Sequence, residues 1–222
     1  MHSGSVFLLK IIPIGIFYPF FVYFYVMGKA IVTRQFIIGK TAPVFNTKGY
    51  NGTSLNDLTE ATGLTKGSLY GNFENKEEIA IAVFHYSIEK VREAARLKME
   101  NVSSSKEKLL ALLDFYCQYV FTSPIPGGCP LMNNAVEADD HHSFMKKAVA
   151  TEIRRTIDSI AVLLARGKKE GEFKSSINEK EIANLFFCSI EGAIIVSRVS
   201  SSDAAMKSVA NFNRNLLKQI SK

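Results

Sequence analysis

A group of polar side chains near residue 65 carries the chemical groups that read the edges of base pairs. The hydroxyls of Thr65 and Ser68 both donate and accept hydrogen bonds, and the ammonium of Lys66 can donate to guanine O6 or N7 or to a phosphate. Gly67 lies among them, although glycine costs a helix about 1 kcal/mol relative to alanine. A glycine there would allow the backbone to approach DNA closely. The segment therefore predicts contacts with double-stranded DNA.

Two short helices are needed to position these side chains. Ser54 and Asp57 have the spacing of a capping box, which predicts that a helix begins there. Gly63 can adopt a positive φ and end that helix, and Thr65 is a good N-cap for a second helix that extends to Phe73. Two short helices joined by a glycine turn indicate a helix-turn-helix, whose second helix enters the major groove. A simple helical corner with a tolerated glycine would give the same local pattern.

A further helix is expected before this motif. Ile38, Ala42 and Phe45 recur at positions i, i+4 and i+7, which is the spacing of one apolar helix face. Gly49 is expected to end this helix. Pro43 lies within it and should kink or weaken it, because proline lacks the backbone N–H that the helix requires.

Helical patterns continue after the motif. Asn75 and Glu78 form a second capping pair, which predicts a long helix that runs to about Met99. The proline- and glycine-rich segment 123–130 is expected to be a loop. Strand-like alternation is hard to find. Further helices are expected at 106–121, 131–138, 143–170, 178–200 and 203–220.

Three stretches of the sequence resemble the N-terminal domain of the tetracycline-repressor (TetR) family. They are Gly49–Leu58, Ala61–Tyr70 and Asn72–Glu78, and the resemblance extends from about Thr33 to Val83. Its most specific part is the run Leu-Tyr-x-x-Phe-x-x-Lys-Glu, which ends at residue 77. The resemblance implies an all-α protein, in which an N-terminal three-helix DNA-binding domain with a helix-turn-helix is followed by a larger helical ligand-binding and dimerisation domain.

The resemblance also assigns roles to individual residues. Thr53 and Tyr70 would hydrogen-bond phosphates, and Lys76 would add charge and a positive helix terminus at another phosphate. Asn72 would touch either a base or a phosphate. Phe45, Leu58, Leu69 and Phe73 would form the small core that fixes the helix angle. The expected DNA-contacting set is Thr53, Ser54, Thr65, Lys66, Gly67, Ser68, Tyr70, Asn72 and Lys76.

A ligand pocket is expected in the C-terminal helices, because such pockets have large apolar walls and few polar groups. The Gly-Gly-Cys-Pro segment before residue 131 resembles one subgroup of the family, in which it would cross near the pocket. Cys129 could then sense an electrophile if its thiolate were stabilised, or it is a buried small residue in a turn. The expected ligand contacts are Phe115, Tyr116, Tyr119, Cys129, Met132 and Phe187.

The last two helices are expected to pair with a second copy of the chain. The resemblance implies a four-helix bundle in a homodimer, and two reading heads suit a palindromic operator with spaced half-sites. Ser189, Gly192, Ala193 and Ser197 would allow close helix approach, and an ordinary intrachain core is the alternative. The implied function is a repressor that a small molecule releases from DNA.

The amino-acid composition is that of a globular protein and argues against a disordered chain. The chain has 222 residues and a formal net charge of +6, which suits an anionic partner. Three unpaired cysteines favour a reducing cytoplasm. No Ser-His-Asp order, phosphate loop or zinc spacing is visible in the sequence, so neither an enzyme nor a cofactor is expected. Adjacent acidic and histidine side chains could hold a metal but are interpreted as a solvated face; they are Glu137, Asp139, Asp140, His141 and His142.

The N-terminal residues stand apart from the rest of the sequence. Between Val6 and Val26 only Lys10 is charged, so that the run is long enough to span a bilayer, although it contains two prolines. It is either a membrane anchor of a tethered regulator or a stretch upstream of a true start at Met27. We therefore expect three segments, a hydrophobic extension (1–26), a DNA-binding domain (27–79) and a ligand-binding and dimerisation domain (80–222).

Overall fold

The computed structural model describes the backbone of residues 17–140 and 143–222, and the side chains of 31–139 and 143–222. Helices make up nearly all of this part of the chain, and only an isolated bridge between Phe173 and Ser221 has strand-like pairing. The helices are α1 (Phe17–Gly52), α2 (Leu55–Thr62), α3 (Lys66–Tyr70), α4 (Lys76–Met99), α5 (Ser105–Tyr119), α6 (Pro130–Asp140), α7 (Ser143–Lys169), α8 (Glu179–Val199) and α9 (Ala204–Ile220).

Helix α1 runs through Pro43 and changes direction at Gly49. Pro43 lies inside the helix, whereas Gly49 is non-helical, with φ 72° and ψ 177°. The break expected at Gly49 is confirmed, and the backbone stays helical at Pro43, where a kink or a weakened helix was expected. Ala42 next to the proline is fully buried, so packing against the neighbouring helices holds the proline turn in place. The helix crosses the expected boundary at residue 27, whereas most of the hydrophobic run from Val6 lies outside the described residues.

The caps of the helix-turn-helix form as the sequence predicts. Ser54 and Asp57 make a reciprocal capping box, and Gly63 takes a left-handed conformation with φ 69°. The Thr65 hydroxyl accepts the Ser68 N–H and so starts α3. Local sequence thus determines this motif, since each cap satisfies N–H or C=O groups within three or four residues.

The cap of α4 differs from the expected one in one respect. The Asn75 side chain accepts the Glu78 N–H over 2.9 Å, as expected. The Glu78 carboxylate, however, accepts the N–H of Glu74 over 2.7 Å instead of the Asn75 N–H. Its second oxygen bonds Arg34 of α1, which lies 44 positions away. The local spacing predicts that Glu78 caps the start of its own helix, whereas in the structure the side chain also bonds Arg34, a partner distant in sequence.

Helix α7 spans the larger helical part of the molecule from end to end. We call this part, residues 80–222, the body. Phe144 at its start packs edge-on against Tyr50, with ring centroids 5.2 Å apart. Its 27 residues extend about 40 Å at the usual rise per residue. At the far end Lys168 pairs with Glu179 over 2.8 Å. The start of α8 therefore lies at the end of the body that is distant from the helix-turn-helix.

Candidate nucleic-acid interface and ligand cavity

Helix α3 presents one polar surface and is anchored by its opposite side. Leu69 is fully buried, and Phe73 is almost fully buried. The helix ends at Tyr70, three residues before the expected end at Phe73. Thr65 and Lys66 are exposed at its first turn, and Tyr70 is 42% exposed at its last. The predicted core of Phe45, Leu58, Leu69 and Phe73 is confirmed, since all four are buried. This core fixes the direction in which α3 projects from the protein.

The first turn of α3 is open to an incoming partner. Lys66 forms no ion pair within the described ranges, so its ammonium is available. A Cβ added at Gly67 would lie 3.9 Å from the Thr65 hydroxyl, which is an ordinary contact. The fold therefore does not require glycine at this position. Ser68 is half-buried and its N–H is taken up by the Thr65 cap.

The two residues before α2 do not have free hydroxyls. Thr53 is 1% exposed, and its hydroxyl donates to the Gly49 carbonyl over 2.6 Å. In this structure the Thr53 hydroxyl is therefore taken up within the protein, and its contact with a phosphate stays a prediction. Ser54 is exposed, but its hydroxyl accepts the Asp57 N–H and donates to the Asp57 carboxylate. The Gly49 carbonyl lies four residues before Thr53, which is the common spacing for a bond from a threonine hydroxyl to the backbone.

The Lys76 ammonium is also engaged inside the protein. It donates to the Tyr50 carbonyl over 2.6 Å and lies 4.2 Å from the centre of the Tyr50 ring. Partial burial lowers the pKa of Lys76. The side chain ties the start of α4 to the end of α1 in the absence of DNA.

Asn72 lies where the sequence predicts, but its groups serve the end of α3. The side-chain amide donates to the Ser68 carbonyl over 2.9 Å, and the backbone carbonyl accepts from Arg34. Arg34 also pairs with Glu78 and lies 4.0 Å from the centre of the Phe73 ring. Sequence reasoning missed Arg34, because its partners are 38 or more positions away and no local spacing identifies them.

Glu137 on α6 contacts the turn in α1 that Gly49 creates. Its carboxylate accepts the backbone N–H of Tyr50 over 2.6 Å and that of Asn51 over 3.2 Å. Glu137 is half-buried, so the interpretation as a solvated face is wrong for this residue. It satisfies amides that the turn removes from the helix, and it joins the end of α1 to α6. We call Gly49, Tyr50, Asn51 and Glu137 the hinge contact.

The remaining acidic and histidine residues of this region do not gather at one point. Asp139 is exposed and pairs with Lys146 over 3.0 Å. No group of three or more potential metal ligands occurs within the part of the chain that the structure describes. His141 and His142 lie outside the described residues.

A cavity of about 710 Å³ lies in the body, between α4, α5, α7, α8 and the start of α6. Among the expected ligand contacts, Tyr116 and Cys129 line it. Most of its wall comes from α4 and α7, which sequence reasoning did not include. The apolar lining residues are Ile88, Val91, Ala95, Met99, Leu112, Pro130, Leu131, Ile160, Val162 and Leu163.

Four expected ligand contacts do not line this cavity. Phe115 and Tyr119 are almost fully buried and pack with Tyr116 at ring-centroid distances of 5.1–5.8 Å. The Tyr119 hydroxyl donates to the Gly128 carbonyl over 3.2 Å. Met132 and Phe187 are half-buried against the core. Since aromatic residues at helical spacing suit a core and a pocket equally well, the sequence pattern could not separate the two.

The inner part of the cavity holds a buried acid beside a buried thiol. The Cys129 thiol donates to Glu191 Oε1 over 3.3 Å, and both side chains are largely excluded from solvent. Burial raises the pKa of Glu191 to about 7. Burial, reinforced by the Glu191 charge, raises the pKa of Cys129 well above that of an ordinary thiol. A reactive cysteine requires a stabilised thiolate, so this environment opposes the sensing role considered for Cys129.

The outer face of α8 and α9 is apolar, but not because of the expected small residues. Ala193 and Ser197 are buried within the chain, and the Ser189 hydroxyl accepts from Asn213. Of the small residues, only Gly192 is exposed. Large apolar side chains are exposed instead, at helical spacing along α8 and once on α9. They form the outer stripe, which consists of Leu185, Ile195, Val196, Val199 and Phe212, with exposures of 42–83%.

Helix α8 is also long and apolar enough to cross a membrane, by length and composition alone. Its two apolar faces explain this property. One face packs in the core through residues such as Phe186 and Ile194, and the other is the outer stripe. A core helix of a globular protein passes the same test, so the result is weak evidence for a membrane span.

A helix-turn-helix with an exposed second helix, joined to a helical body with an apolar cavity, defines a DNA-binding transcriptional regulator. Residues 37–83 match the family described as bacterial regulatory proteins, tetR family, and residues 105–212 match the tetracyclin repressor-like C-terminal domain. The chain belongs to the TetR family. The members of this family are transcriptional regulators and not enzymes.

Individual relatives agree with this assignment. A TetR-family regulator from Cytophaga hutchinsonii is 40% identical, with a TM-score of 0.82 over 87% of this chain and 96% of that one. The transcriptional repressor ComR of Escherichia coli is 28% identical over 85% of this chain and 90% of its own length. The regulator CifR, solved with a 26-base-pair operator, shares the fold with a TM-score of 0.72 at 19% identity, over 84% of this chain and 95% of that one.

Proposed function

We propose that the protein is a ligand-responsive repressor, which binds a palindromic operator as a homodimer and leaves it when a small molecule occupies the cavity. The observation that carries the proposal is the exposed first turn of α3, held in place by the buried Leu69. The site of action is the cytoplasm, where the operator is. The assignment to a Gly-Gly-Cys-Pro subgroup stays a prediction.

Thr65, Lys66, Gly67 and Ser68 lie against base edges in this proposal. Lys66 supplies the charged donor. Gly67 allows the backbone to approach the DNA closely, since packing within the protein does not itself require a glycine there. Tyr70, which is 42% exposed, binds a phosphate through its hydroxyl. Ser54, Asn72 and Lys76 act indirectly, because their polar groups hold α2, the end of α3 and the start of α4 in position.

The homodimer forms through the outer stripe of α8 and α9. Large apolar side chains that are exposed on one face of two adjacent helices are typical of a surface that another protein covers. Two copies would present two α3 helices on one side of the assembly, as a palindromic operator with two half-sites requires. A single α3 of five residues reads too few bases to specify one operator.

Helix α6 couples the cavity to the DNA-reading end. Its first residues, Pro130 and Leu131, line the cavity, and Glu137 near its other end binds the backbone at Tyr50. These two points are separated by about 10 Å of helix. A ligand that displaces the start of α6 therefore moves the hinge contact. This movement changes the angle between the helix-turn-helix and the body. The ligand acts only through its different affinities for the two arrangements.

Mapping the genomic sites that the protein occupies tests whether it binds palindromic operators. We expect footprints with inverted repeats, and tight binding of the purified protein to a duplex with both half-sites. A duplex in which one half-site is scrambled should bind at least tenfold more weakly. Equal affinity for the intact and the half-scrambled duplex would refute the palindromic homodimer.

A further inference from the structure

The cavity contains an acceptor atom for which the protein provides no donor. Glu191 is 5% exposed and lines the cavity. One of its oxygens accepts from the Cys129 thiol, whereas Oε2 is buried and has no hydrogen-bond partner within the described residues. Buried polar atoms are normally satisfied, because an unmade hydrogen bond costs free energy. The unsatisfied oxygen therefore indicates a group that arrives with a ligand.

The cations that line the cavity do not neutralise Glu191. Arg92 bonds Glu152 over 2.6 Å, and Arg155 lies 3.7 Å from the same carboxylate. Arg96 pairs with Glu93 and with Glu100. Glu191 takes part in no ion pair within the described ranges. The charged groups of the lining besides Glu191 are Arg92, Arg96, Glu100, Lys108 and Arg155.

The rest of the cavity is suited to an apolar molecule. Ile88, Val91, Leu112, Ile160 and Leu163 contribute aliphatic wall from α4, α5 and α7. The volume of about 710 Å³ falls within the range of small-molecule sites. Tyr116 adds an aromatic ring next to the acid, and aromatic faces attract cations.

We propose that the cavity binds an apolar amine, whose protonated nitrogen donates to Glu191 Oε2 while its hydrocarbon part packs between α4 and α7. This assignment rests on the proposed ligand-responsive function. An ammonium supplies both the donor and the positive charge that Glu191 lacks. A carboxylate of the same shape would place like charges together, and an alcohol would supply a donor without charge.

Binding of the amine depends on the protonation of Glu191. Burial raises the pKa of this carboxyl to about 7, and Cys129, Tyr116 and Tyr119 are the titratable groups beside it. Their own pKa values are raised by burial, so they keep their protons near neutral pH. The ammonium binds the ionised carboxylate and displaces its proton. Affinity for an amine therefore rises roughly tenfold between pH 6 and pH 8, whereas affinity for an alcohol stays nearly constant.

Calorimetry of the full chain without DNA tests the site with three matched probes, phenylbutylamine, phenylbutanol and phenylbutanoate. We expect the amine to bind most tightly, by at least tenfold over either of the others. Glu191→Gln should remove that preference. Glu181→Gln makes the same change at an exposed position of α8 and should leave it intact. If the glutamine variant does not fold, the affinities of the wild-type protein for the amine and the alcohol, measured between pH 6 and pH 8, test the same site.

Equal binding of the three probes, binding of none, or an unchanged amine preference in Glu191→Gln would overturn the assignment. A second measurement, addition of the amine to the protein–operator complex, separates this proposal from the function on which it rests. If the amine binds through Glu191 and the operator is retained, the ligand-responsive function fails and the amine site stands. If the amine does not bind and the purified protein still binds its operator specifically, the amine site alone fails.

Discussion

The carboxylate of Glu137 accepts a hydrogen bond of 2.6 Å from the backbone N–H of Tyr50, although the two residues are 87 positions apart. The bond exists because Gly49 turns the chain away from the axis of α1 and leaves amides without helical partners. Lys76 holds the carbonyl of the same tyrosine. Tyr50 is therefore held on one side by α6 and on the other by the start of α4.

Replacing Glu137 should loosen this junction. We expect Glu137→Ala to lower the free energy of unfolding by about 1–3 kcal/mol, because two backbone donors lose a charged acceptor. The factor by which a cavity ligand reduces operator affinity should also fall. Asp139→Ala removes an exposed carboxylate from the same helix and is the matched control. Thermal unfolding and operator titrations measure both effects, and indistinguishable results for the two variants would contradict the role of the hinge contact.

Gly67→Ala should separate stability from DNA binding. The added methyl group has room within the protein, and alanine favours a helix over glycine by about 1 kcal/mol. The variant should therefore be as stable as the wild-type protein or more so. Operator affinity should nevertheless fall at least tenfold, because the methyl group lies on the surface that approaches the bases. Unchanged affinity in a folded variant would show that this turn does not face the duplex closely.

Glu191 should make the stability of the protein depend on pH. Below its ordinary pKa of 4.5, the carboxyl is protonated in both the folded and the unfolded chain and has no effect. Between that value and the folded-state pKa of about 7, only the unfolded chain ionises, so stability falls as the pH rises. Above both values the accumulated loss is roughly 3 kcal/mol.

The variant Glu191→Gln cannot ionise and should avoid this loss. We expect it to be more stable than the wild-type protein at about pH 8, with the advantage disappearing towards pH 4.5. Chemical unfolding across this range, without ligand, gives the comparison. Glu181→Gln serves as the control, because that carboxyl is exposed. A stability difference between the two proteins that does not change with pH would mean that the pKa of Glu191 in the folded chain is ordinary.

The outer stripe predicts the oligomeric state. Val196→Asp places a charge in the middle of the proposed dimer interface, where burial without a partner is costly. We expect this variant to sediment as a monomer and to lose at least tenfold in affinity for a two-site operator. Val136→Asp is the matched control, since that valine is 68% exposed on α6, away from the stripe. A dimeric Val196→Asp variant would place the interface elsewhere.

Local capping rules were sufficient to predict the helix-turn-helix. Ser54, Gly63 and Thr65 each act on backbone groups a few residues away, so their roles follow from spacing alone. Thr53 and Lys76 were assigned to phosphates by resemblance. In the structure Thr53 bonds the carbonyl of Gly49, only four residues earlier. Lys76 bonds the carbonyl of Tyr50, which tertiary packing brings within its reach.

Residues with distant partners could not be predicted in this way. Arg34, Glu137 and Glu191 owe their roles to helices that are far apart in sequence, and no periodicity records which helices meet. Of the small residues expected on the outer face of α8, only Gly192 is exposed, for a related reason. Both sides of that helix are apolar, so the sequence does not indicate whether Ala193 or Ile195 points outward.

The salt dependence of operator binding for wild-type protein and Lys66→Ala tests the central claim most directly. Lys180→Ala is the matched control, because Lys180 is exposed on α8 at the end of the body distant from α3. We expect Lys66→Ala to weaken specific binding at least tenfold and to reduce the preference for operator over scrambled duplex, with Lys180→Ala unchanged. If Lys66 contacts a phosphate instead of a base, the slope against log salt should fall by about 1 while the preference is kept. Full operator affinity and an unchanged slope in Lys66→Ala would contradict the account.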